Sequence, residues 1–270
     1  GKYEENYLRK NNTLNVAVYD DYKPISYYDK KSHKYKGIAV DLMDKLGEKL
    51  GIKFRYFAIN TKDPYDMFNS TKTDIVLPVY VDDLMYYKTK SLFDSDINYI
   101  TKSSYGTLND NARIAVVKKY KYISDCLKNK TKYNIVEYDT IEDACNGVND
   151  GEVDAFATST YNAKFIIQNP RYRKLDIREF DNISLPFGLA INNNSILESA
   201  LNKGIQYITS EERKNIIDKD TAYKWSDLSW YDKLYSYIDI LSFVSFILVF
   251  AVIGILIYIN SKKKFIEQIQ

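Results

Sequence analysis

Residues 14–51 read LNVAVYDDYKPISYYDKKSHKYKGIAVDLMDKLGEKLG, and this stretch decides the fold. It opens with a short apolar run that stops at DDYKP, a turn signal, so the run is predicted to be a buried strand. Apolar residues then recur on one helical face from Ile38 to Leu50, and Gly51 follows where a helix C-cap favours a residue that accepts positive φ. A strand that leads into an amphipathic helix is the repeating unit of an α/β protein.

The alternation of strands and helices continues along the chain and restarts at Arg113. Further strands are predicted at KFRYFAI, TDIVLPV, RIAVV, YNIVEY and VDAFAT, and further helices at YISDCLKNK, DTIEDACNGVNDG, YNAKFIIQN, SILESALNKGIQYI and SEERKNIIDK. The helix in DTIEDACNGVNDG begins at a predicted capping box from Asp139 to Glu142. Two extended stretches, INYITKSSYG and ISLPFGLAI, would connect two lobes, and the second would return the chain to the first lobe. The predicted fold class is therefore α/β, with two lobes and largely parallel sheets.

This order of segments, from about Leu14 to Asp220, resembles the type 2 periplasmic-binding fold and the extracellular solute-binding proteins of family 3. The resemblance implies a Venus flytrap, in which two lobes joined by two crossover strands close over a small ligand. It divides the chain into a linker (1–13) and a bilobed domain (14–230). Lobe 1 would span about 14–98 and 188–230, and lobe 2 about 104–184.

Candidate ligand residues follow from the sheet, because ligands of open α/β sheets bind beyond the carboxyl ends of the strands. The candidates are Tyr19, Asp20, Tyr22, Tyr80, Asp82, Lys119, Tyr120, Thr158 and Ser159. Two of them have a simpler explanation: Asp20 could cap a turn, and Lys119 could lie on a solvated face.

The family comparison also predicts what the ligand is not. Amino-acid binders of this family carry an Arg shortly after the third strand that clamps the ligand carboxylate, but this chain has Met85, Tyr86 or Tyr87 there. The Asp that receives the ammonium group is replaced by Ser159, and the Gly-Thr turn that opens the helix of the second lobe reads Lys119-Tyr120. We therefore expect another small solute, or a partner protein, rather than a standard α-amino acid.

A membrane span is predicted near the C-terminus, over 238–260. Residues Ile240–Ile259 carry no charge and are long enough as a helix to cross a bilayer, and SKKK follows them. Aromatic residues precede the span, among them Trp230 and Tyr237, as is typical of a membrane interface. Because positive charge is retained in the cytosol, residues 1 to about 235 are predicted to be extracellular or periplasmic and the C-terminus cytosolic.

Composition and motifs argue against several other functions. Charge is balanced, at 38 basic and 36 acidic residues, so we expect no nucleic-acid partner. The two cysteines, Cys126 and Cys145, fall on successive helices and are predicted to be free thiols, and the lone His33 lies in a polar loop. This leaves no ligand set for zinc, and no catalytic motif or cofactor motif is present, so this segment is not expected to be an enzyme.

Two functions fit these expectations. The first is the ligand-sensing domain of a single-pass bacterial receptor, a histidine kinase or a cyclic-dinucleotide signalling enzyme. Lobe closure would act through the span, across a homodimer, on a cytosolic segment that starts at 261–270. The alternative is a membrane-tethered or permease-fused solute-binding protein of an importer. A single C-terminal span followed by lysines favours the sensor, because tethered binding proteins are normally anchored at the N-terminus.

Overall fold

The structure, a computed structural model, describes residues 1–70, 72–81, 86–222 and 224–267, without the side chains of residues 70, 227 and 267. The strands are β1 (Thr13–Val18), β2 (Asp21–Tyr22), β3 (Ser26–Asp29), β4 (Lys34–Lys36), β5 (Lys53–Ala58), β6 (Ile75–Tyr80), β7 (Tyr87–Lys88), β8 (Ile97–Lys102), β9 (Arg113–Val117), β10 (Asn134–Tyr138), β11 (Ala155–Ser159), β12 (Leu175–Arg178) and β13 (Phe187–Ile191). The helices are α1 (Lys2–Lys10), α2 (Ile38–Leu50), α3 (Met67–Ser70), α4 (Lys121–Lys130), α5 (Ile141–Asp150), α6 (Thr160–Ile167), α7 (Ser195–Tyr207), α8 (Ser210–Thr221), α9 (Trp230–Tyr235) and α10 (Ile238–Glu267).

Lobe 1 is built on a five-stranded sheet in the order β5-β1-β6-β13-β7. Strand β1 pairs in parallel with both β5 and β6, whereas β13 runs antiparallel to β6 and to β7. The sheet is therefore mixed rather than all parallel. Strand β13 is buried along its whole length and β6 along nearly all of it, which explains why both read as continuous apolar runs.

Lobe 2 has its own five-stranded sheet, in the order β10-β9-β11-β8-β12. Strands β10, β9 and β11 are parallel, and β8 and β12 are added antiparallel at one side. The two cysteines of this lobe, Cys126 on α4 and Cys145 on α5, are buried thiols, as predicted.

Two crossover segments join the lobes and lie against each other. They are linked by isolated antiparallel bridges that pair Phe93 with Phe187 and Asp96 with Ser184. Beyond these bridges, β8 enters the sheet of lobe 2 and β13 enters the sheet of lobe 1. The first crossover is therefore shorter than predicted, because residues 97–102, which the sequence boundaries divided between lobe 1 and a connection, form a full strand of lobe 2.

Helix α5 begins one residue later than the predicted capping box. Its N-cap is Thr140, whose hydroxyl accepts a hydrogen bond of 3.0 Å from the backbone N–H of Asp143. The predicted pair, Asp139 and Glu142, has the same spacing, and sequence alone did not separate the two registers.

Residues 1–13, which we interpreted as a linker, contain helix α1. Leu8 of this helix is buried, and Tyr7 accepts a hydrogen bond of 2.7 Å at its hydroxyl from Asn194 Nδ2. Glu4 Oε1 accepts hydrogen bonds from Ser199 Oγ at 2.6 Å and from Lys203 Nζ at 2.5 Å. Helix α1 is therefore bound to the N-cap residue of α7 and to two side chains within α7.

Substitution of Glu4 by glutamine is expected to loosen α1. Hydrogen bonds from Lys203, from the N-terminal ammonium of Gly1 and from Ser199, in that order, lower the pKa of Glu4 to about 2. Because this pKa is lowered, the contact stabilises the docked helix above the ordinary value of 4.5 and is lost as pH falls towards about 2. The protection of the α1 amides from hydrogen exchange, relative to the intrinsic rate at the same pH, should fall in Glu4→Gln at neutral pH and in the unaltered chain at acidic pH. The exposed Glu5→Gln is the control, and equal exchange in the two variants at neutral pH would contradict the prediction.

The C-terminal segment forms a second compact unit, which groups Asn169–Arg171 with Lys224–Gln270. Residues 224–230 therefore group with the C-terminal helices and not with the flytrap, where the sequence boundaries placed them. Helix α10 exposes large apolar side chains on all sides, from Ile240 to Ile266. Within the described residues it is the helix whose length and composition suit a membrane span, and the predicted span of 238–260 lies inside it.

Candidate functional site

The residues that follow β1, β9 and β11 meet between the two lobes. Tyr19 and Tyr22 come from lobe 1, and Tyr120 comes from the start of α4 in lobe 2. The rings of Tyr22 and Tyr120 are stacked with centroids 4.1 Å apart, and Tyr19 meets Tyr120 edge-on at 5.2 Å. All three are buried, so these predicted ligand residues form an aromatic cluster that fills the space between the lobes.

An ion-pair network crosses between the lobes beside this cluster. Lys119 Nζ of lobe 2 lies 2.8 Å from Asp20 Oδ1 and 2.9 Å from Asp21 Oδ1 of lobe 1. The hydroxyl of Tyr120 donates to Asp21 Oδ1 at 3.2 Å. Asp21 therefore takes part in the site as fully as Asp20, which the prediction had singled out.

Hydrogen bonds at the end of β11 hold the other side of the contact. Tyr22 donates from its hydroxyl to Ser159 Oγ at 2.8 Å, and Asn162 Nδ2 donates to the backbone oxygen of Lys23 at 2.6 Å. Thr158 Oγ1 in turn donates to Asn162 Oδ1 at 2.7 Å. Asn162 was not predicted, because it lies inside α6 rather than directly after a strand.

Burial and charge determine the protonation of this contact. Burial raises the pKa of Tyr22 and of Tyr120, so both phenols stay protonated and can donate. Burial alone would lower the pKa of Lys119, but the hydrogen bonds to Asp20 and Asp21 outweigh it and raise that pKa above 10.5. The charged Lys119 therefore favours the joined lobes below its ordinary pKa, and this contribution is lost as pH rises through the raised value.

A cavity of about 530 Å³ remains open between the lobes next to the aromatic cluster. Lobe 1 contributes Tyr19, Tyr65 and the end of β6 at Tyr80, and lobe 2 contributes side chains of α4 from Lys121 to Lys130. Two predicted residues, Tyr19 and Tyr80, thus line an open space, whereas Tyr22, Tyr120, Thr158 and Ser159 are buried in contacts within the chain. Asp82 lies outside the described residues.

The described positions where the resemblance would place a carboxylate clamp make other contacts. Tyr86 packs against Tyr65 and Phe68, with ring centroids 4.9 Å and 5.1 Å apart. Tyr87 is exposed on β7, and Lys88 Nζ lies 5.5 Å from the ring centroid of Tyr65. Met85 lies outside the described residues. Among the residues the structure describes, no cluster of His, Cys, Asp and Glu could hold a metal ion.

Substitution of Lys119 by glutamine should shift the lobes towards separation. Lys119 and its two carboxylates are partly exposed, so we expect a loss of about 1 kcal/mol, or about fivefold in the ratio of open to closed molecules. Distances between spin labels on the two lobes would measure this ratio. Within the described residues, the neighbouring Lys118 pairs with Asp139 of its own lobe, at 2.8 Å, so Lys118→Gln is the matched control. Equal distance distributions in the two variants would show that the prediction is wrong.

Comparison with known proteins agrees with this architecture. Residues 14–84 match the sequence model of the bacterial extracellular solute-binding proteins, family 3. No match to the chain was found among curated proteins.

Solved structures share the fold over most of the chain. The periplasmic VFT2 domain of Bordetella pertussis BvgS is 18% identical, with a TM-score of 0.68 over 81% of this chain and 97% of that one. The BvgS periplasmic domain is 17% identical, with a TM-score of 0.72 over 90% of this chain and 48% of that one. An ancestral arginine-binding protein bound to arginine is 18% identical, with a TM-score of 0.63 over 77% of this chain and 97% of that one. The chain therefore has the two-lobed Venus-flytrap fold of periplasmic binding proteins, as predicted.

Proposed function

We propose that this Venus-flytrap chain is the extracellular ligand-sensing part of a single-pass bacterial membrane receptor. The observation that carries the proposal is the continuity of the chain from the flytrap into α10 (Ile238–Glu267). This helix has no charged residue between Asp239 and Lys262, and the length of this uncharged segment suits the hydrocarbon core of a bilayer. The lysines after the span favour a cytosolic C-terminus and an extracellular flytrap.

The contact between the lobes gives this sensor two states that a ligand can distinguish. In the joined state, Lys119 bridges to lobe 1 and the rings of Tyr22 and Tyr120 stack. A solute changes the balance between joined and separated lobes only by its difference in affinity for the two states. Lobe 1 includes α7 and α8, after which the chain continues towards α9 and α10. A rotation of lobe 2 against lobe 1 is the signal that the receptor would pass to its cytosolic part.

A chimeric receptor tests the sensor proposal without a known ligand. Residues 1–270 would replace the sensor and span of a histidine kinase that has a transcriptional readout. We expect Lys119→Gln to change the kinase output by several-fold and the matched Lys118→Gln to leave it unchanged. Identical output in both variants, in chimeras that are inserted in the membrane, would overturn the proposal. Solute uptake that depends on the chain would instead favour the importer alternative.

Common L-amino acids are not expected to bind. The described lining of the cavity contains no arginine to clamp an α-carboxylate, and Ser159 is engaged with Tyr22. Millimolar L-glutamine or L-arginine should therefore leave the thermal unfolding midpoint of the full chain unchanged. A rise of about 2–4 °C with either amino acid would contradict this prediction, because a ligand that binds only the native state must stabilise it.

A further inference from the structure

The cavity beside the aromatic cluster has the size of a site for a small solute. Its volume of about 530 Å³ falls within the range usual for small-molecule pockets. Both lobes contribute to it, so an occupant would contact lobe 1 and lobe 2 together. The neighbouring space, where a flytrap ligand would be expected, is filled by the stacked rings of Tyr22 and Tyr120.

Two tyrosine hydroxyls at this cavity have no hydrogen-bond partner among the described residues. Tyr19 is only 1% exposed, and its hydroxyl is buried without a partner. The hydroxyl of Tyr122 is buried and lies near that of Tyr22, but it meets hydrogen-bond geometry with no described residue. Both residues line the cavity, and an unsatisfied buried hydroxyl favours a rearrangement that gives it a polar partner.

Aromatic rings surround the same space. Tyr65 and Tyr80 of lobe 1 line it opposite Tyr122 of α4. Tyrosine rings offer flat apolar faces and prefer to pack against another ring, either stacked or edge-on. The aromatic lining therefore suits a planar ring rather than a flexible chain.

Among the described residues, one ammonium group at the cavity has no carboxylate partner. Lys121 Nζ lies 3.6 Å from Asp63 Oδ2 and 3.9 Å from Asp125 Oδ2. Lys128 Nζ is 3.6 Å from Glu137 Oε1.

Lys130 differs from these lysines. Its Nζ donates to the hydroxyl of Tyr80 at 3.1 Å and lies 5.8 Å from the centre of that ring, and it forms no ion pair within the described part of the chain. A negatively charged group would therefore find a partner at Lys130.

We propose that this cavity binds a small planar organic monoanion, with its ring between the tyrosines and its charged group at Lys130. The proposal rests on the ligand-sensing function and specifies its ligand class. A solute with a polar substituent opposite its charged group would also offer a partner to the hydroxyls of Tyr19 and Tyr122. Because Lys130 already bridges the lobes through Tyr80, the anion adds to a contact that holds them together.

Benzoate is a suitable probe, with three controls that each remove one feature. Benzamide keeps the ring and is uncharged, benzamidine keeps the ring and is cationic, and acetate keeps the carboxylate and has no ring. The full chain in detergent would be heated with each compound at millimolar concentration. We expect benzoate to raise the unfolding midpoint by about 2–4 °C and the three controls to leave it unchanged. An equal rise with benzamide or benzamidine, or no rise with benzoate, would overturn the proposal.

Two variants locate the binding. Lys130→Gln should abolish the rise with benzoate, whereas Lys132→Gln, which removes an exposed lysine just outside the cavity, should keep it. The midpoint of each variant without benzoate serves as its own reference and shows that the variant is folded. A full rise in Lys130→Gln would place benzoate elsewhere and refute the site. The chimeric receptor compares the Lys119 and Lys118 variants without any ligand. A negative result with benzoate would therefore refute the ligand class and leave the sensor proposal standing.

Discussion

Replacement of Tyr120 by alanine is expected to separate the lobes and to lower the free energy of unfolding by about 3–5 kcal/mol. Tyr120 is 2% exposed, stacks on Tyr22 at 4.1 Å and meets Tyr19 at 5.2 Å. Its removal takes away the ring contacts that lobe 2 makes with Tyr19 and Tyr22 and leaves a cavity in their place. Denaturant unfolding would measure the stability, and small-angle scattering would detect the wider separation of the lobes.

Two control variants separate packing at Tyr120 from its hydroxyl and from tyrosine loss in general. Tyr120→Phe keeps the ring and removes the hydrogen bond to Asp21, so we expect a loss of about 1 kcal/mol and no separation. Tyr207 is 62% exposed, and Tyr207→Ala should change stability by less than about 0.5 kcal/mol. If Tyr120→Ala destabilised the chain no more than Tyr207→Ala does, the aromatic cluster would not be what joins the lobes.

Introduction of an arginine at Ile253 is expected to prevent stable insertion of the C-terminal helix into a membrane. Ile253 lies near the middle of α10, in a segment without charge. An arginine at the centre of a spanning helix costs about 2.5–3.5 kcal/mol on insertion scales, which is enough to reduce insertion strongly. The fraction of chain that resists carbonate extraction from membranes would measure the effect.

Asn260→Arg is the matched control for this experiment. Residue 260 lies just before the lysine run 262–264, where an arginine can reach the headgroups. We expect this variant to stay in the membrane as the unaltered chain does. If Ile253→Arg were retained equally well, α10 would not cross the bilayer, and the receptor proposal would lose its main support.

The main elements of both lobes could be predicted from the sequence because they depend on local pattern. The apolar run of β1 and the helical spacing from Ile38 to Leu50 each identify an element without help from the rest of the chain. Helix α1 was missed for the opposite reason. It is polar, and what secures it are contacts with Asn194, Ser199 and Lys203, far away in the sequence.

The candidate site could be predicted only as a set of residues and not as an arrangement. The rule that ligands bind beyond strand ends selected Tyr22 and Ser159, but it could not indicate that these two would bind each other. They lie 137 residues apart, and their contact depends on how far the lobes close. The spacing of apolar residues along the sequence carries no information about lobe closure. The cavity along α4 was missed as well, because Tyr122 and Lys130 lie inside a helix rather than at the end of a strand.

The pairing of the two crossover segments also bears on how such a protein can be re-engineered. Every strand of the second sheet comes from the single interval between Ile97 and Arg178, so lobe 2 is an insertion within lobe 1. The bridge between Phe93 and Phe187 keeps the entry and the exit of this insertion side by side. A segment with adjacent ends can be cut out and exchanged without rerouting its host chain. Lobe 2 can therefore be exchanged as a unit. Grafting a related lobe at these two points would change ligand preference while lobe 1 and the C-terminal helices remain intact.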